Sequence, residues 1–252
     1  MAGHNKWSKV KRKKGVADAR RSKIWARITR DMMIAAREGG GDPNMNPRLA
    51  LSIEKAKAEN MPKDNIERAI KRGTGEIEGA DYEEMSYEGY GPGGVALFVE
   101  CLTDNTNRTV ADVRHAFTKH GGNLGTSGSV AYLFERKGQI EIDAEGQDED
   151  DLFLLVAEAG AEDLGQEDGR FVVTTPMEAF AAVQSAVEAA GIEPAEAGLV
   201  RLPTTTTSLP PDDTAKVLRL VDALEELQDV QDVFTTLEID DAVEELRMTN
   251  YE

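Results

Sequence analysis

Charge is divided so unevenly along this chain that one uniformly built domain cannot hold it. Residues 1–73 carry 19 Lys and Arg against 8 Asp and Glu, a net of +11. The remainder carries 10 against 39, a net of −29, so the overall −18 averages two unlike pieces. Such a dipole predicts one surface that seeks polyanions and another that repels them, placed on separate modules. The 252 residues leave room for two or three modules, and a hydrophobic share of 40% is enough to give each a core.

The basic end divides further. Residues 4–14, HNKWSKVKRKK, hold Lys6, Lys9, Lys11, Arg12, Lys13 and Lys14 with no acid among them. Self-repulsion keeps such an arm extended until a polyanion orders it. From Asp18 the pattern turns helical. Stepped at 100° per residue, Arg20, Lys23, Arg27, Arg30 and Arg37 share one arc, while Ile24, Trp25, Ile28, Met32, Ala35 and Ala36 share another. Arg21 falls among the apolar positions and Ile34 among the charged ones. One face is expected to pack and the other to meet phosphate, so these six Arg and Lys join the arm's six cations as candidate nucleic-acid-binding residues. Pro47 and Pro62 mark the starts of two further helices, and Gly73 the stop of the last. The expectation is a three-helix bundle over residues 1–76, with Lys55, Lys57, Lys63, Arg68, Lys71 and Arg72 extending its positive surface.

Beyond a linker near Thr74–Glu84, the string YEGYGPGG is read as a break leading into the strand VALFVECLT. Thr109 and Asp112 have capping-box spacing ahead of a helix through Val113 and Phe117. GGNLGTSGS reads as a flexible loop and SVAYLFE as a strand. A new module is expected to begin at a Lys137–Gly138 turn: strand QIEIDA, a helix through Leu152 and Val156, strand RFVVTT, a helix opened by a Thr175–Glu178 capping box, and strand GLVRL. After the connector PTTTTSLPP, a helix through Val217, Leu220 and Leu224 and the strand VFTTLEI complete the interrupted module. The fold class is thus α+β and multidomain: the helical bundle, then two ferredoxin-like or split β-α-β domains. The second spans 77–134 and 205–252, and the acidic third, 135–204, is inserted within it.

Catalytic chemistry finds little support. Cys101 is the sole cysteine, and His4, His115 and His120 the only histidines. His115 and His120, five apart, point in different directions around a helix and cannot share a metal. Asp104 and Arg108 flank the polar turn TDNTNR, which suits capping as well as a bound phosphate. Neither a catalytic residue, a metal ligand nor a cofactor is expected, and the protein is read as non-enzymatic. A lone cysteine, a basic N-terminus without an apolar core region, and no run of 18 apolar residues point to the cytoplasm and away from membranes.

Longer strings carry a family likeness. GHNKW at 3–7, KDNIERAIKRGTGE at 63–76, YEGYGPGGVA at 87–96 and TDNTNRTVADVRHAFTKHGGNLGTSGSVAYLF at 103–134 together resemble the YebC/PmpR family. The resemblance implies a three-domain, non-enzymatic, cytoplasmic protein of a kind usually labelled a probable DNA-binding transcriptional regulator. The family also includes a mitochondrial translational activator, and ribosome-associated roles have been proposed for bacterial members. Asn5 stands where the related motif often has Ser, and the third domain is unusually acidic.

The function expected is a DNA-binding transcriptional regulator that grips the phosphate backbone with its basic helical domain. The alternative is a translation factor that grips RNA or the ribosome with the same residues, and the acidic domains offer a surface to a protein partner. Phosphate contacts give affinity without sequence information, so the residues do not name a target. Reversing Arg20, Lys23, Arg27 and Arg30 to Glu is expected to abolish polyanion binding while leaving the fold intact, because that face lies outside the bundle core.

Overall fold

A computed structural model describes residues 18–78, 82–167 and 169–238. The arm at 4–14, including Lys6, Lys9, Lys11, Arg12, Lys13 and Lys14, lies outside the described residues. Helix α1 (Asp18–Gly39) is crossed by α2 (Pro47–Ala58) and α3 (Lys63–Gly73). Ile28, Met32, Met33, Leu49, Ala56, Met61, Ile66 and Ala69 form their shared core, with Ile24, Trp25, Ile53, Ile70 and Tyr82 against it. Asn46 ties the bundle together. As N-cap of α2 its Oδ1 accepts from Leu49 N, and its Nδ2 donates to Ala35 O at 2.7 Å and Gly40 O at 2.9 Å. Pro47 follows at the first helical position, where its missing N–H costs nothing. At the other end Trp25 Nε1 donates to Glu59 O at 3.0 Å, holding the end of α2 to α1.

The second domain is built on β1 (Glu83–Tyr90), β2 (Ala96–Thr103), α4 (Thr106–Lys119), β3 (Asn123–Leu124), α7 (Pro211–Glu225) and β8 (Val230–Thr235). Its antiparallel sheet has the order β3-β1-β2-β8. β2 is buried along its whole length except at Glu100, as its otherwise apolar run Ala96–Leu102 requires. Between the halves of this domain runs a separate compact unit, residues 132–206. It contains β4 (Phe134–Asp143), α5 (Glu149–Glu158), β5 (Asp163–Glu167), β6 (Arg170–Pro176), α6 (Phe180–Ala189) and β7 (Glu196–Pro203). Its antiparallel order, β5-β6-β4-β7, with elements running β-α-β-β-α-β, is ferredoxin-like. The protein is α+β and multidomain.

Two glycines read as breaks lie inside strands. YEGYGPGG does not interrupt β1, which pairs with β2 from Glu83↔Thr103 to Tyr90↔Ala96 and turns only afterwards. A Cβ on Gly89 would sit 2.6 Å from the Phe117 ring, so the glycine admits a core aromatic to the sheet. Lys137–Gly138 is likewise no turn, because β4 runs straight through it, and a Cβ on Gly138 would lie 2.5 Å from Phe180. Both capping boxes also dissolve. Asn105 caps α4 by accepting from Arg108 N at 3.1 Å, and Thr109 is buried in the helix, donating to Asp229 Oδ2 at 2.8 Å. Thr175 belongs to β6, and α6 starts without a side-chain cap.

Candidate nucleic-acid interface

The cationic arc of α1 is not a solvent-facing stripe. Arg30 is 4% exposed, and its Nη2 donates to Gln228 O at 2.5 Å. One turn earlier, Arg27 Nη2 donates to Glu225 O at 2.7 Å. Glu225 is the last residue of α7 and Gln228 lies just beyond it. The two guanidiniums therefore satisfy carbonyls left open by a helix end, where the macrodipole favours positive charge. Arg30 also lies 6.0 Å from the Tyr82 ring centroid, and Arg37 Nη2 donates to Tyr82 O. Burial pulls the Arg30 guanidinium below the ordinary arginine value. Three of the arc's five cations thus bond to backbone carbonyls outside the bundle, and the expectation that this face can be reversed without touching the fold is corrected.

The same contact explains Ile34. Helical periodicity places it among the charges, yet it is 2% exposed and stands apart from the bundle's core cluster. A second surface covers that side of α1. Asp31 shares the contact: burial, then the proximity of Asp232 on β8, pushes its carboxyl up to about 6 against the opposing pull of Lys55 and Arg48. Arg48 closes the edge with ion pairs to Glu38 at 2.8 Å and to Glu84. Sequence reasoning missed this interface because a cation aimed at a carbonyl and one aimed at a phosphate have the same helical phase.

Of the remaining predicted residues, Arg20 and Arg21 lie on the first turn of α1, with side chains outside the description, and Lys23 is partly buried. Besides Arg37 and Arg48, exposed positive charge in the bundle sits on α2 and α3, at Lys55, Lys57, Lys63, Arg68, Lys71 and Arg72. Glu67 reaches Lys63 at 3.6 Å, while Lys71 and Arg72 occupy the last turn of α3. A close approach fixes that end, since a Cβ on Gly73 would collide with Met33 and lie 2.8 Å from Ala36 Cβ on α1.

The polar turn at 103–109 is absorbed by structure. Asp229, 4% exposed, accepts from Thr103 Oγ1 at 3.2 Å, Thr109 Oγ1 at 2.8 Å and Arg108 through Nε at 3.1 Å and Nη2 at 2.8 Å. Arg108 also pairs with Asp104 at 2.8 Å, and its guanidinium is held above the ordinary value by its bonds to Asp229 and Asp104. This network joins α4 to the start of β8. Cys101 is buried, and burial pushes its thiol up to about 12, so it stays protonated and packs as an apolar group. Among the described residues no cluster of His, Cys, Asp and Glu could hold a metal ion, and no helix is long and apolar enough to cross a membrane.

Residues 5–76 match the family described as the TACO1/YebC protein N-terminal domain, and residues 82–237 match the TACO1/YebC second and third domain. A probable transcriptional regulatory protein of Salinibacter ruber is 55% identical over 241 residues, spanning 95% of this chain and 94% of its own. One from Nitrosospira multiformis is 54% identical over 242 residues, spanning 95% and 100%. The crystal structure of a conserved hypothetical protein from Aquifex aeolicus is similar with a TM-score of 0.82 at 47% identity, covering 89% of this chain and 93% of that one.

Proposed function

The chain belongs to the TACO1/YebC family, and from that premise we propose that it is a non-enzymatic, cytoplasmic, DNA-binding regulator of transcription that holds the phosphate backbone with its helical domain. The observation that carries this reading is the exposed group Lys55, Lys57, Lys63, Arg68, Lys71 and Arg72 within residues 1–73, of net +11, set in a chain whose remainder is −29. Lys6, Lys9, Lys11, Arg12, Lys13 and Lys14 of the arm, with Arg20, Arg21 and Lys23, add to the grip. Arg27, Arg30 and Arg37 serve it indirectly, by fixing the bundle on the second domain. The name that the relatives carry supports a regulatory role.

Such a grip neutralises phosphates and releases counterions, so affinity falls steeply with salt and depends weakly on sequence. The test is titration of duplex DNA and of structured RNA from 50 to 300 mM salt. Changing Lys55, Lys57, Arg68, Lys71 and Arg72 to Gln should flatten the log–log salt slope by up to about 0.9 for each duplex phosphate that is no longer neutralised. An unchanged slope and affinity refute the assignment. Tighter binding to RNA than to duplex at equal salt replaces the transcriptional reading with the RNA- or ribosome-bound one.

A further inference from the structure

The acidic part of the chain contains one long interval from which acids are excluded. Val113–Phe134 is 22 residues without Asp or Glu, although 39 of the 47 acids lie beyond residue 73. The interval forms the second half of α4, the turn at His120–Gly122, β3 and the loop after it. Outward positions of an exposed helix accept either sign, so folding alone does not impose the exclusion.

Its cations lie on the second half of one helix, with His115 and Lys119 four residues apart on one face and Arg114 a step round from them. Arg114, His115 and Lys119 are exposed near the end of α4. Gly122 brings α7 to the same place, since a Cβ there would lie 3.2 Å from Leu220 Cδ2 and 2.6 Å from Tyr90 O. Arg219, the exposed neighbour of Leu220, therefore stands beside the turn, its Nε donating to Ala215 O of its own helix at 3.1 Å. None of the ion pairs among the described residues includes Arg114, His115, Lys119 or Arg219. The nearest acids on these helices, Asp112 and Asp222, lie on the turn before His115 and the turn after Arg219. Burial first, and then the nearby charges of Lys119, Arg219 and His115, hold the His120 imidazole below its ordinary value, so these three groups lie close to one another around the turn. A cation in the last turn of α4 also suits the helix dipole, but that accounts for Lys119 and not for Arg219, which is mid-helix.

The platform beneath is fixed. Glu88, 4% exposed, accepts from the backbone N–H groups of Gly128 at 2.6 Å, Val130 at 2.7 Å and Ala131 at 2.8 Å, and its carbonyl accepts from Gly125 N at 2.7 Å. The glycine-rich loop is thus tied to β1 and leaves the Thr126 and Ser127 residues exposed.

We propose that Arg114, His115, Lys119 and Arg219 form a second phosphodiester-binding surface, on the second domain, which lengthens the track begun by the helical domain. The inference rests on the nucleic-acid reading above. Its test is the triple change Arg114→Gln, Lys119→Gln and Arg219→Gln in the full chain, titrated against duplex DNA and structured RNA beside the wild type and the helical-domain variant. Circular dichroism and thermal melting should match the wild type, because all three side chains are exposed. The log–log salt slope should flatten by about 2 to 3, and affinity near 0.1 M salt should fall more than about tenfold. The two substrates separate the source, since the phosphate chemistry is common and the larger loss identifies the ligand. Should the wild type bind and the helical-domain variant fail while this variant keeps its full affinity and slope, the second surface is refuted alone. A wild type that binds neither substrate refutes both readings. If the triple change alters the melt, Lys119→Glu with Arg219→Glu is read instead, and unchanged binding there refutes the surface.

Discussion

Arg30 separates a structural arginine from a nucleic-acid ligand. It is 4% exposed, donates to Gln228 O, and carries a buried Nε without a partner. Arg30→Met keeps the aliphatic stem and removes the guanidinium. The loss is one charge-assisted bond plus a buried carbonyl left open, offset by relief of the orphaned Nε and of a desolvated charge, so about 2 kcal/mol of stability is expected to go. Arg30→Glu sets a carboxylate facing that carbonyl near Asp31 and Asp229, and about 3–5 kcal/mol is expected to go. The assay is urea denaturation followed by Trp25 fluorescence and by circular dichroism, with polyanion titration run under conditions where the variant is folded. Arg30→Met should bind polyanion with the wild-type salt slope. If instead it retains wild-type stability and loses about one phosphate's worth of slope, roughly 0.9 on duplex, Arg30 is a phosphate ligand and not a docking residue.

Three further outcomes follow from other contacts. Asp31 has a folded-state value raised from 3.8 to about 6, so its ionisation opposes folding, and this cost appears as pH climbs from about 4 to above 6. Asp31→Asn should therefore be more stable than the wild type by about 1–2 kcal/mol at pH 7.5, less than the full value of the shift because the carboxyl keeps some solvent, and should lose that advantage at pH 4; equal stability at both pH values in urea melts argues against it. Glu88→Gln removes one of two acceptor oxygens serving three N–H groups, so a cost of about 2 kcal/mol with faster hydrogen exchange at Val130 and Ala131 is expected, and unchanged protection there would count against the clamp. Gly138→Ala forces a methyl onto Phe180 and Thr175 and should cost about 1–3 kcal/mol in chemical denaturation; a neutral result would mean that the two side chains yield freely.

The residues alone determined the module types. Period-3.6 apolar spacing in 18–73, strand-length apolar runs such as VALFVECLT, and Pro47 at a helix start are local signals, and each produced the element it implied. The charge division also lies in the sequence, because net charge adds along the chain whatever the fold. Local chemistry was silent wherever a residue answered to something distant. Gly89 and Gly138 look like breakers until Phe117 and Phe180 arrive from other elements to occupy the space a Cβ would take. Thr109 looks like a cap until Asp229, 120 residues on, accepts its hydroxyl. Arg27 and Arg30 show the same limit at the proposed interface. Their helical phase was legible, but whether a guanidinium meets a phosphate or the carbonyls at the end of α7 depends on which surface the second domain lays against α1, and only tertiary packing chooses that surface.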